Sequence, residues 1–138
     1  MNSYTLFLTW LGTLFAVAGS LFFSEVMHFP PCVLCWYQRI PMFSLAVVLA
    51  TAVYFQDKKV LRYAFPLWAL GIAIASYHLL VYYHLVPESI TPCSQGVSCS
   101  ERQIAWFGFV SIPLLSFSAF LLVGVGLFAL KKEGRSHE

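Results

Sequence analysis

Residues 4–23 read YTLFLTWLGTLFAVAGSLFF, a run without a single charged side chain. At 1.5 Å per residue, a helix of about 20 residues covers the roughly 30 Å hydrocarbon core of a bilayer. Apolar runs of similar length recur at 36–56, 64–86 and 104–130. Composition agrees with that reading: 59% of the chain is hydrophobic, 17% aromatic and 10% charged, where a soluble domain carries about 25% charged residues. Eight basic and six acidic side chains cannot cover a water-exposed domain of 138 residues, so the chain reads as an integral membrane protein. The basic residues stand in short clusters between apolar runs. No broad phosphate-tracking face can form from them, which excludes a nucleic-acid partner.

The last run is too long for one crossing. Pro113, preceded by Ser111 as an N-cap, suits the first turn of a helix reaching Leu130, which leaves 104–110 as an apolar segment lying at the interface. Pro66 likewise suits a helix start and Pro87 a helix stop. The expectation is an all-α fold, a single multi-pass membrane domain over 1–138. Its four-helix transmembrane bundle has spans at 4–23, 36–56, 64–86 and 112–130. Ala16, Val17 and Ala18 imitate the small-residue cleavage site of a secretory signal, but no Lys or Arg precedes the run and the apolar stretch continues to Phe23. Gly12 with Ala16, and Gly71 with Ala75, are small pairs four apart that let helices approach closely in lipid.

Four spans place both termini and the 57–63 loop on one side, and the loops 24–34 and 87–103 on the other. Lys58, Lys59, Arg62, Lys131, Lys132 and Arg135 fall on the first side, and only Arg39 and Arg102 on the second. The positive-inside rule makes the first side cytoplasmic. All four cysteines, Cys32, Cys35, Cys93 and Cys99, then belong to two extracytoplasmic loops at the outer face of the cell membrane, where disulfides persist.

Four cysteines can ligate a structural zinc, form two inert staples, or exchange electrons as two redox pairs. An oxidising location and the five-residue gap between Cys93 and Cys99 disfavour zinc. A Cys-x-x-Cys loop such as Cys32 to Cys35 closes too few residues to stabilise much by chain entropy. The redox reading has positive support. Pro30 and Pro31 hold the approach extended, and a helix starting near Cys32 to Cys35 aims its positive dipole end at the sulfurs, favouring thiolate. Arg39, four residues after Cys35, shares its helix face and can stabilise a thiolate or an anionic reduced acceptor. In such a relay Cys93 and Cys99 take electrons from an outside thiol and pass them to Cys32 and Cys35. A strongly oxidising extracytoplasmic thiol couple lies near about −120 mV, above the glutathione pool, so the final acceptor must be of higher potential and reachable from the membrane. A lipid-soluble quinone meets both conditions.

The word Pro31-Cys32-Val33-Leu34-Cys35-Trp36-Tyr37-Gln38-Arg39, with Cys99-Ser100-Glu101-Arg102-Gln103 further on, resembles the DsbB-like membrane disulfide oxidases, in particular their short BdbC-type members from Bacillus-like bacteria. The resemblance extends over essentially the whole chain. It implies catalytic roles for all four cysteines, with Cys32 and Cys35 oxidised by quinone, Cys35 nearest the ring and Arg39 a quinone contact. It implies that Cys93 joins transiently to a thioredoxin-like oxidase of the DsbA or BdbD type, and that Cys99 resolves that bond. His84 resembles a histidine near the quinone. The implied cofactor is menaquinone or ubiquinone from the membrane pool, with no metal. The chain departs from the larger members in the short loop between Cys93 and Cys99, which points to movement of that loop as a unit.

Other readings compete at particular residues. A vitamin K epoxide reductase-like enzyme would place its loop cysteines before the Cys-x-x-Cys pair, the reverse of the order here. A zinc-bearing or stapled scaffold without activity is the alternative from another class. His78 and His84 are six apart and point in different directions, which disfavours a haem site. His84 suits a quinone-side or an interfacial role, and His78 suits hydrogen bonding to a neighbouring helix. Trp36, Tyr37, Tyr82, Tyr83 and Trp106 fit an outer aromatic belt, and for Trp36 and Trp106 the belt is favoured over a quinone-pocket wall.

Overall fold

The computed structural model describes residues 2–28, 33–87 and 112–136. Four helices account for most of them: α1 (Ser3–Leu21), α2 (Val33–Phe55), α3 (Val60–Tyr82) and α4 (Ile112–Ser136). Each is long and apolar enough to cross a membrane. No strand occurs among the described residues, and the protein is an all-α multi-pass membrane protein. Helices α1 to α4 pack on their chain neighbours, and α4 closes the ring against α1.

The core lies on the bundle axis, with Leu45, Leu49 and Ala52 of α2 meeting Ala64 and Ala75 of α3 and Phe120, Val123, Leu127 and Leu130 of α4. Spacings of three and four bring these residues onto one stripe of each helix. The outward stripes are equally apolar. Phe15 is 72% exposed, Leu122 74% and Val125 68%, an arrangement that water would penalise and lipid tails accept.

Small residues mark the closest approaches. A Cβ on Gly71 would collide with the ring edge of Phe120, and one on Gly124 would stand 2.7 Å from the indole of Trp68. The Trp68 indole N–H crosses to α4 and donates to the Phe120 carbonyl at 2.7 Å. Gly71 with Ala75 is therefore an α3–α4 contact, as the spacing suggests. Gly12 is a correction: nothing lies within 4 Å of a Cβ there, so the Gly12 face is not a close helix crossing. The expected contrast is sharp. Gly71→Ala forces a methyl into a ring that is itself 1% exposed and should destabilise by about 1–3 kcal/mol. Gly12→Ala should be neutral or slightly stabilising. Thermal unfolding of the two variants in detergent checks this, and equal melting temperatures would contradict the packing.

Helix boundaries depart from expectation in instructive places. Helix α3 starts at Val60, six residues before Pro66, because Asp57 opens it. Its side chain accepts from the Lys59 amide at 2.8 Å, and the Asp57 carbonyl takes the Val60 amide. Pro66 then sits on an exposed helical position, where its missing N–H costs the ladder one bond. Helix α1 does not stop at residue 23 but runs into a π-helical turn, Phe22–Val26. Helix α4 continues past Leu130 to Ser136, and its Glu133 carboxylate accepts from the Asn2 amide at 2.9 Å and the Thr5 hydroxyl at 2.8 Å. That carboxylate caps the positive N-terminal end of α1. It ties the start of α1 to the end of α4 at the same end of the bundle as the α2–α3 connection.

Candidate redox site

At the opposite end, the first turns of α2 carry Cys35 and Arg39. Cys35, Gln38, Arg39, Met42 and Phe43 are spaced by three, one, three and one, so they line up on one helix face. That face borders a cleft of about 270 Å³ shared with the end of α1, the π-helical turn and the start of α4. Its walls are largely apolar, with Phe15, Phe23, Phe43 and Phe120 among them, and its polar groups are Ser20, Ser24, Cys35, Gln38, Arg39 and Ser116. An apolar slot with a few convergent polar groups is the usual form of a small-molecule site.

Arg39 is half-buried and oriented. Its Nε–H donates to the Ser20 hydroxyl at 3.0 Å and its Nη2 to the Ser20 carbonyl at 3.1 Å. Its guanidinium carbon lies 5.0 Å from the centre of the Trp36 ring, within cation–π range. No carboxylate pairs with it among the described residues. A cation that borders an apolar slot is suited to an electron-rich oxygen on a ligand. Cys35 lies one turn earlier, in the third position of α2, close to the positive end of the helix dipole.

Behind this wall a polar chain crosses three helices. The Ser116 hydroxyl donates to Gln38 Oε1 at 2.5 Å, and Gln38 Nε2 lies 2.8 Å from His78 Nδ1. Gln38 and His78 are both buried. The link from His78 to a neighbouring helix matches the expectation from sequence.

Of the residues singled out from sequence, the structure brings Cys35 and Arg39 into one cleft. His84 is not part of it. It lies beyond the C-cap of α3, exposed, with φ of 59°, and no α3 residue lines the cleft. Trp36 is 56% exposed, does not line the cleft and stacks on Arg39. Cys32, Cys93, Cys99, Ser111, Trp106 and the 104–110 segment lie outside the described residues. Sequence reading passed over Ser20, Gln38 and Ser116. The signal for them was present: polar side chains inside membrane spans need partners and mark functional positions.

Comparison with known proteins points the same way. The family model described as "Disulfide bond formation protein DsbB" matches residues 2–130. The chain is 44% identical over 128 residues to a "Probable disulfide formation protein" of Metapseudomonas resinovorans, covering 92% of this chain and 89% of that one. It is 41% identical over 128 residues to "Disulfide bond formation protein C" of Bacillus subtilis, covering 93% of each. No solved structure matches it significantly.

Proposed function

Because the chain belongs to the DsbB family of disulfide bond formation proteins, a family of membrane thiol:disulfide oxidoreductases, we propose that it is a quinone-reducing disulfide oxidase that regenerates an extracytoplasmic thioredoxin-fold partner. The observation that supports the quinone step is the cleft. Cys35 and Arg39 border one apolar slot of about 270 Å³. A flat hydrophobic ring suits its phenylalanine walls, and the guanidinium suits a ring carbonyl oxygen.

In the net reaction two partner thiols become a disulfide, and the quinone leaves as quinol with the two electrons and two protons. Quinone supplies an oxidant of high potential that the chain itself lacks. The chain's part is positional. Arg39, braced by Ser20, holds positive charge where electron density builds up on the acceptor, and the apolar walls exclude water from the reacting sulfur. In this proposal Cys93 receives the partner thiol, Cys99 resolves the mixed disulfide and passes electrons to Cys32, and Cys35 faces the acceptor. His84, exposed beyond the C-cap of α3 and off the cleft, is given no contact with the acceptor in this proposal. The cysteine-bearing end faces outward. The end carrying Lys58, Lys59, Arg62, Lys131, Lys132 and Arg135 faces the cytoplasm, in accord with the excess of positive charge there.

The deciding experiment is anaerobic. Purified protein in detergent is mixed with a reduced thioredoxin-fold oxidase of the DsbA or BdbD type and either menaquinone or ubiquinone, and both quinol formation and partner oxidation are followed. Equal amounts of quinol and partner disulfide are expected. Partner oxidation without quinol, or no turnover with either quinone, would refute the proposal.

A further inference from the structure

At the basic end of the bundle, away from the cleft, helices α3 and α4 meet through aromatic rings. Gly71 opposes Phe120, Trp68 opposes Gly124 and Phe65 opposes Phe128, so the two helices run antiparallel. The Phe65 and Phe128 ring centres lie 5.3 Å apart and those of Trp68 and Phe128 5.7 Å, both pairs edge to face. These contacts fix the rotation of one helix against the other. Phe128 nevertheless remains 51% exposed, so the rings form the floor of an outer groove that stays open to the surroundings. Leu121, seven residues deeper on the same face of α4 and 47% exposed, extends that floor.

Three residues from the Phe65–Phe128 contact, toward the basic end, stand Arg62 on α3 and Lys131 on α4. Equal steps along two antiparallel helices from one shared contact put their backbones at the same depth. Lys131 reaches across to α3, with Nζ 5.5 Å from the centre of the Phe65 ring, within cation–π range. Arg135 follows one turn later on the same α4 face. The carboxylates of this end are turned elsewhere. Asp57 accepts from the Lys59 amide, and Glu133 faces α1 through Asn2 and Thr5. Neither pairs with Arg62 or Lys131.

We propose that the mouth of this groove seats the phosphate of an anionic phospholipid, between Arg62 and Lys131, with an acyl chain lying along Phe128 and Leu121. Arg62 brings a planar fork that matches phosphate oxygens, and Lys131 a point charge. Charge alone would suit any anion. Paired cations at one depth, directly beyond an exposed apolar floor, suit an amphiphile whose head and chain are joined in that order. The site is independent of the quinone reading, since no α3 residue lines the redox cleft.

Native mass spectrometry of the intact protein tests this. The protein in detergent is equilibrated with equal amounts of phosphatidylglycerol and phosphatidylcholine of the same chains, at physiological ionic strength, which screens charges more than a Debye length away. Two basic side chains beside one phosphate predict a preference of about 30-fold for phosphatidylglycerol in the first lipid retained. The double variant Arg62→Gln, Lys131→Gln should lower it to about threefold or less, the share left to the remaining cations after screening. Lys58→Gln with Lys59→Gln removes the same charge just before α3 and should leave the preference within about threefold of its original value. All four side chains are exposed, and helix content by circular dichroism should be unchanged in both variants. No preference in the unaltered protein, or an equal loss in the two double variants, would overturn the proposal. Millimolar inorganic phosphate should leave the retained phosphatidylglycerol in place; its displacement would mark a site for a free anion and overturn the lipid assignment.

Discussion

Cys35→Ser should reduce quinol formation to background while the bundle still inserts and folds. A serine hydroxyl cannot form a disulfide, so the substitution removes the two-electron couple itself, and no rearrangement of neighbours can restore it. The structural cost is small. Cys35 is half-buried at the edge of the Leu34–Val81 cluster, and an oxygen for a sulfur at such a place costs on the order of 1 kcal/mol. The measurement is paired: quinol formation with partner and quinone in excess, and helix content by circular dichroism in detergent. Loss of turnover with helix content unchanged is expected. Turnover above background would show that electrons reach the acceptor without this sulfur and would remove the cleft from the pathway.

The four spans were legible because the signal is one of composition and length. Chains that fold in water seldom go some 20 residues without a charge, since each of their helices keeps one face in solvent, and the described helices overlap every expected span. Their ends were less so. Pro66 is a common start signal, yet the Asp57 side chain opens α3 six residues earlier. Nothing in the one-dimensional pattern of Phe22–Val26 distinguishes a π-helical turn from an α-helical one. Small-residue pairs show where helices can approach, not where they do. Gly71 and Gly12 look alike in sequence, and only the large ring of Phe120 opposite Gly71 separates them.

The same division holds at the site. The placing of Cys35 and Arg39 on one face follows from a four-residue interval and was readable. The partner that orients Arg39 was not, nor was the polar chain beside it. Ser20 comes from the end of α1, while Gln38 meets His78 across 40 positions and Ser116 across 78. Such pairings are decided by how helices rotate against one another in the bundle, which periodicity leaves open when all faces are apolar. His84 shows the converse: a histidine near the right depth, which the chain turns out of its helix with φ of 59° and leaves exposed.

Arg39→Ala should weaken the apparent affinity for quinone far more than that for the thioredoxin-fold partner. A hydrogen bond from a charged group is worth about 1.5–3 kcal/mol, so the quinone KM should rise roughly 10- to 150-fold, with the partner KM within about twofold of its original value. The alternative is that Arg39 is only a brace, since its two described hydrogen bonds both go to Ser20. Two further variants separate these cases. Ser20→Ala removes the hydroxyl acceptor but keeps the carbonyl acceptor and the charge, and should raise the quinone KM only modestly. Arg39→Lys keeps a cation but loses the planar fork that binds Ser20 and a ligand together, and should fall between the two. If Ser20→Ala matched Arg39→Ala, the arginine would act by holding α1 against α2. If Arg39→Ala left the quinone KM unchanged, its positive charge would have no part in binding the acceptor, and its depth in the membrane would be explained by the tie to Ser20 and by stacking on Trp36.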